Sequence, residues 1–165
     1  MPDRGTAYRV PPDETRRVVD ESLFRYLVEF EIPKAHRLQY PISVVYLSAD
    51  LSASEASRLS AEAILDVILK YTRATDAITS IHNGSFGVLL IDADTQVLSP
   101  IIRRLTNEVT TVTRAAMGEN RSVTWSGGGA CYPKTAQTAL ELLGQAFNLM
   151  SKAQNDGGDR FYVAS

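Results

Sequence analysis

The feature that most limits the fold is one hairpin and what flanks it. Residues 76–81 and 86–91 are two candidate strands, the second a continuous apolar run, joined by His82-Asn83-Gly84-Ser85. Asn-Gly favours a tight hairpin because both residues accept positive φ. Upstream, Leu59, Ala63, Val67 and Tyr71 share one helical face, with Ile64 and Ile68 beside them. Ser52 and Glu55 stand at capping-box spacing to open that helix. Downstream, residues 95–117 place Leu98, Ile101, Ile102, Leu105 and Val109 inward, and Gly118 suits the C-cap. Beyond the helices lie two further strand candidates, 42–47 and 123–130. A hairpin bracketed by helices and then by strands predicts a β-α-β-β-α-β core, the ferredoxin-like arrangement of the α/β (α+β) class. Its sheet is expected to be mixed, mainly antiparallel and flanked by helices.

The remaining segments extend this core. A loose helical pattern covers 14–38, an extra N-terminal helix that Pro33 should kink or end. Gly127, Gly128 and Gly129 in the last core strand imply a close backbone approach or a bulge. Residues 135–153 read as a helix and 160–163 as a final short strand. Residues 1–13, with Pro2, Pro11 and Pro12, read as a flexible leader to a single domain over 14–165.

Composition narrows the function. The 165 residues carry a net charge of −2, which argues against a dedicated nucleic-acid binder. No run is long and apolar enough to span a membrane, and Met1 to Gly5 hold no signal-peptide core. The single cysteine, Cys131, excludes an internal disulfide framework or a multi-cysteine zinc site. A cytoplasmic protein with no structural metal and no cofactor is expected.

Several segments then point to one family. Ser122-Val123-Thr124-Trp125-Ser126-Gly127-Gly128-Gly129-Ala130-Cys131-Tyr132-Pro133 is similar to the segment that reads V-T-V-S-I-G-V-A-x-Y-P in the GGDEF family. Glu141-Leu142-Leu143, Ala146-Phe147-Asn148 and Lys152-Ala153 follow where that family has E-L-L and A-L-Y-x-A-K. Gly158-Asp159-Arg160-Phe161 resembles its closing G-[GR]-[ND]-R-[VF], and Val44 to Asp50 its first strand, L-L-L-L-D-I-D. The resemblance runs from about residue 24 to 164 and implies a nucleotide-cyclase-like fold.

What the resemblance implies for chemistry is a loss. The family makes cyclic di-GMP from two GTP molecules, using carboxylate-held magnesium to neutralise charge on the phosphates. Its carboxylate positions fall here on Ser48 and Gly84, and its signature reads His82-Asn83-Gly84-Ser85-Phe86, with Ser85 where Glu is usual. The guanine-reading loop is missing too, because Leu51-Ser52-Ala53-Ser54-Glu55-Ala56 leads directly into a helix. No catalytic residue and no metal ligand is therefore expected, and the chain reads as a degenerate, non-enzymatic member. A different metal site built from Asp50, Asp92 and Asp94 is the minor alternative.

One family feature survives by spacing. Arg73-Ala74-Thr75-Asp76 resembles the R-x-x-D product site, and ungapped counting places Arg104 where a further arginine joins it. Arginine forks suit phosphates or guanine edges, and a carboxylate accepts from guanine N–H groups. Arg73, Asp76 and Arg104 are thus candidate ligands for cyclic di-GMP. The structural alternative is that Arg73 closes a helix and Asp76 caps a turn. The competing function is a protein-interaction or homodimerisation module without a nucleotide, using apolar residues of the first helix expected to be exposed, such as Phe24, Tyr26 and Tyr40.

Overall fold

In the computed structural model, residues 17–82, 84–118 and 122–165 are described. The expected leader, 1–13, lies outside them. The chain forms β1 (Val18–Val19), α1 (Glu21–Leu38), β2 (Ile42–Ala49), α2 (Ala53–Ala56), α3 (Ala61–Lys70), β3 (Ala77–His82), β4 (Ser85–Ile91), α4 (Thr95–Met117), β5 (Trp125–Tyr132), α5 (Ala139–Asn155) and β6 (Phe161–Val163). The six strands make one mixed sheet in the order β1-β3-β4-β2-β5-β6. The four central strands pair antiparallel, while β1 and β6 join the edges in parallel. This is the ferredoxin-like core, widened by one strand on each side.

Alternation along β2 sorts the core into two layers, because successive side chains point to opposite faces of a sheet. Val45 and Leu47 pack with Ile64 and Ile68 of α3 and with Leu98, Ile102, Leu105 and Val109 of α4. Ile42, Val44 and Tyr46 pack on the other face with Phe24 and Val28 of α1 and Leu142, Ala146 and Met150 of α5. Phe24, expected to be exposed, is therefore a buried core residue, and Tyr40 lies past the end of α1. The central strands are covered on both faces, which is why 42–47 is apolar at every position but Ser43. The glycine-rich strand is explained mainly by Gly128. A Cβ there would stand 2.2 Å from Ala146 O and 2.3 Å from Met150 N, so only glycine lets α5 lie this close to β5.

The boundaries correct the sequence reading in five places, one of them the last helix, which starts at Ala139 with Thr138 as N-cap and not at residue 135. The helix expected from residue 14 starts at Glu21, with Asp20 as N-cap, because the β-branched pair Val18-Val19 adds an edge strand to β3 instead. Pro33 neither ends nor divides α1. It lies on the exposed side, where the missing N–H is tolerated within an 18-residue helix. The helix opened by Ser52 is two helices: Ser52 caps α2, and Ser60 restarts the chain as the cap of α3. The strand expected at 123–130 is shifted to Trp125–Tyr132, so Cys131 lies within it and not after it.

Candidate functional site

The hairpin predicted around Asn-Gly forms between β3 and β4, with a register irregularity between Ser80 and His82. Asn83 lies outside the described residues. Gly84 takes φ +79° and is buried. A Cβ there would meet Ala49 Cβ at 3.3 Å, Leu59 Cδ1 at 3.3 Å and Ala56 Cβ at 3.4 Å. The segment that arrives in place of a loop therefore folds as α2 and lays Ala56 and Leu59 against the hairpin. His82 stands exposed at the end of β3.

Across the sheet, Ser48 and Ser85 face each other in register, and their hydroxyls hydrogen-bond at 2.8 Å. Ser48 is buried. Two neutral hydroxyls thus satisfy one another where the resemblance implies carboxylates. Next to them, Gln154 Nε2 donates to Ala49 O at 3.2 Å.

Asp50 is committed elsewhere. It accepts from Thr124 Oγ1 at 2.6 Å, Ser126 Oγ at 2.7 Å and the Asp159 backbone N–H at 2.9 Å. It ties the ends of β2 and β5 to the turn before β6. Gly158, at φ +74°, has no room for a Cβ, which would sit 2.7 Å from Asp50 Oδ2. Asp94 caps α4 by accepting from Gln96 and Val97 N–H groups, and Asp92 takes a left-handed turn after β4. Ile42 pairs with Ile91 and Ser48 with Ser85, so Asp92 and Asp94 lie at the opposite end of the sheet from Asp50. The alternative metal site from these three aspartates is excluded by that separation. Among the described residues no group of three His, Cys, Asp or Glu side chains converges as a metal set. Cys131 is buried in β5, and burial pushes its thiol above the ordinary range, the setting of an inert core cysteine.

The R-x-x-D segment forms the turn between α3 and β3. Asp76 is 3 % exposed. Its Oδ2 accepts from Arg73 N–H at 2.8 Å and its Oδ1 from Ile91 N–H at 3.0 Å, so the carboxylate clasps this turn to the end of β4. Arg73 keeps 59 % of its side chain exposed and donates through Nη2 to Ile91 O. Arg104, on α4, lies over the Tyr71 ring at 4.5 Å, two residues before Arg73. A guanidinium stacked this way is oriented without losing its in-plane donors. The structure brings Arg73 and Asp76 into contact and links Arg104 to the same turn through Tyr71.

Two further side chains hold this turn without any signal in the sequence. Arg17 donates to Leu69 O at 2.9 Å, Thr72 Oγ1 at 2.9 Å and Arg73 O at 2.6 Å, closing the C-terminal end of α3. Periodicity places Tyr71 on the core face of its helix, yet its ring also lies under the Arg104 guanidinium. No local pattern marks either role, since both depend on contacts between distant segments.

The sheet order, the two helices on each face and the hairpin opposite β2 define a nucleotide-cyclase-like α/β domain. The family profile described as "Diguanylate cyclase, GGDEF domain" matches residues 62–160, and the chain belongs to the GGDEF family. Solved structures agree in fold. The GGDEF domain of PA1120 (YfiN or TpbB) from Pseudomonas aeruginosa is 20 % identical, with 89 % of this chain and 96 % of that one aligned at a TM-score of 0.70. The active GGEEF domain of a diguanylate cyclase from Vibrio cholerae is 9 % identical, at 88 % and 97 % coverage and a TM-score of 0.75. The coiled coil and GGDEF domain of DgcB from Caulobacter crescentus, in complex with c-di-GMP, is 12 % identical, at 92 % and 88 % coverage and a TM-score of 0.72. No curated protein matches the chain. Among the described residues, no helix is long and apolar enough to cross a membrane.

Proposed function

We propose that this chain is a catalytically silent GGDEF domain that acts in cyclic di-GMP signalling by binding and not by synthesis. The observation that carries the reading is the packing at Gly84. Ala49, Ala56 and Leu59 close on the backbone where the family presents a carboxylate. The remaining donors, the Ser48 and Ser85 hydroxyls, are bonded to each other. A magnesium ion facing triphosphate needs hard, charged oxygens. The residues at these positions do not fit it, so no step is drawn through a metal.

The ligand we assign is cyclic di-GMP itself, held by Arg73 and Arg104. Both guanidinium groups are exposed and neighbour one turn. In this reading Asp76 holds the turn that presents Arg73, and it reaches the ligand only if it releases a backbone N–H. Calorimetric titration of the folded protein with cyclic di-GMP and with GTP tests the assignment. Saturable heat with the dinucleotide that is lost in Arg73→Ala is expected; silence at high micromolar dinucleotide would end the receptor reading. A second reading, a protein-docking surface, is supported by the outer face of α1, where Leu23, Tyr26 and Phe30 remain exposed.

A further inference from the structure

Leu140, Gly144 and Phe147 fall at i, i+4 and i+7 on α5, so they share one face of that helix. The middle position is bare: a Cβ at Gly144 would meet nothing within 4 Å. Leu140 and Phe147, on either side of it, stay 80 % and 44 % exposed. This slot opens into a cavity of about 260 Å³ beside α1, with Tyr46 and Leu143 among its walls and Ile81 and His82 at the end nearest the hairpin. It lies on the opposite face of the sheet from Arg104, whose helix α4 packs with Val45 and Leu47. Tyr46 is 5 % exposed, and among the described residues its hydroxyl has no hydrogen-bond partner. A phenol buried this far ordinarily finds one. Its ring meets Phe147 edge-on, with centroids 5.6 Å apart and planes at 86°. Glu21 and Arg25 of α1 complete the cavity as an exposed ion pair at 3.1 Å. Burial pushes the Tyr46 phenol up to about 12, with the Arg25 charge opposing and the Glu21 charge adding, which sets both groups near this hydroxyl.

We propose that this cavity binds a free aromatic amino acid whose ring carries a hydrogen-bonding group, tyrosine or tryptophan. Its volume is below the roughly 300–1,000 Å³ of sites for drug-sized ligands, so it takes one ring system with a short tail. The slot over Gly144 admits a flat group, and Leu140, Leu143 and Phe147 give that group apolar and edge-to-face contact. On the floor, the unpartnered Tyr46 hydroxyl selects a ring that can donate or accept there, a phenol or an indole N–H. At the mouth, a cation and an anion side by side match a zwitterion, with the ligand carboxylate on Arg25 and its ammonium on Glu21. Arg25 donates to Glu21 through Nη2, and the rest of its fork is free to take a second carboxylate without breaking that pair. The site shares no residue with the Arg73 and Arg104 turn, so it stands or falls separately from cyclic di-GMP binding.

Calorimetric titration of the whole protein with L-tyrosine and with L-tryptophan tests this. Saturable binding of one molecule per chain is expected, with a dissociation constant on the order of 100 μM. L-Phenylalanine offers nothing to the Tyr46 hydroxyl and tyramine has no carboxylate, so each should bind about tenfold more weakly. L-Leucine should give no binding. Gly144→Leu fills the slot and should abolish binding while melting at or above the parent, because its Cβ meets nothing and leucine is the better helix former. Tyr46→Phe keeps the ring and has no hydrogen bond to lose, so it should fold like the parent and no longer prefer tyrosine over phenylalanine. No saturable signal with either amino acid, binding unchanged in Gly144→Leu, or equal binding of L-leucine overturns the proposal. So does a preference over phenylalanine that is absent in the parent or survives Tyr46→Phe.

Discussion

Putting the family's carboxylate back at Gly84 should damage the fold without restoring chemistry. The cost has two parts. Residue 84 holds φ +79°, a conformation that costs a side chain about 1 kcal/mol. The new Cβ also arrives within 3.4 Å of Ala49, Ala56 and Leu59, so the carboxylate is placed among apolar atoms in a buried position. An unpaired buried charge costs several kcal/mol unless it is protonated. Gly84→Asp should therefore lose about 4 kcal/mol, and for a chain of this size that is a melting point lower by roughly 10–15 °C. Gly84→Ala isolates the backbone and contact share and should lose about 1–2 kcal/mol. Urea unfolding followed by circular dichroism gives both values, and incubation of Gly84→Asp with GTP and magnesium gives the activity. A Gly84→Asp protein that melts within about 2 °C of the parent would refute the packing argument. One that also turned over GTP would show that the missing carboxylate, and not the closed pocket, was the obstacle.

Other expectations follow from the same contacts. Asp76→Asn keeps the shape but can accept only one of the two N–H bonds from Arg73 and Ile91, so it should destabilise by about 2 kcal/mol in the same urea assay. Arg104→Ala should cut the calorimetric affinity for cyclic di-GMP at least tenfold while leaving the melting point nearly unchanged, since its ring contact with Tyr71 is on the surface. Gly128→Ala should fail to yield folded protein, because its Cβ would overlap the α5 backbone. Burial pushes the Tyr46 phenol up to about 12. The folded state thus holds this proton more tightly than the unfolded chain, whose phenol titrates near 10. Its contribution to stability is complete below about pH 10 and disappears as pH rises towards 12, which spectrophotometric titration of the phenolate can follow.

Much of the fold was legible because its signals are local. The Asn-Gly hairpin, the double-faced apolar run of β2 and the α4 stripe each depend on a short window, and all three stand where periodicity places them. The misreadings came from tertiary competition. Val18-Val19 looks helical beside α1 until β3 offers it an edge, and Ser60 looks like a mid-helix serine until the chain has to restart there. The candidate site was half legible. Spacing alone names Arg73, Asp76 and Arg104 as candidates, and it sets Ser48, Gly84 and Ser85 where the resemblance implies carboxylates. Two facts were not readable: that the Asp76 carboxylate faces inward to two backbone N–H groups, and that Leu59 closes over Gly84. Both are contacts across the chain, 15 residues from Asp76 to Ile91 in the first case.

The central claim is that this GGDEF domain binds and does not synthesise. Incubating the folded protein with GTP and either magnesium or manganese, then separating the nucleotides by chromatography, tests it most directly. The account predicts GTP unchanged and no cyclic di-GMP above a protein-free control. Cyclic di-GMP appearing in proportion to protein concentration would contradict it.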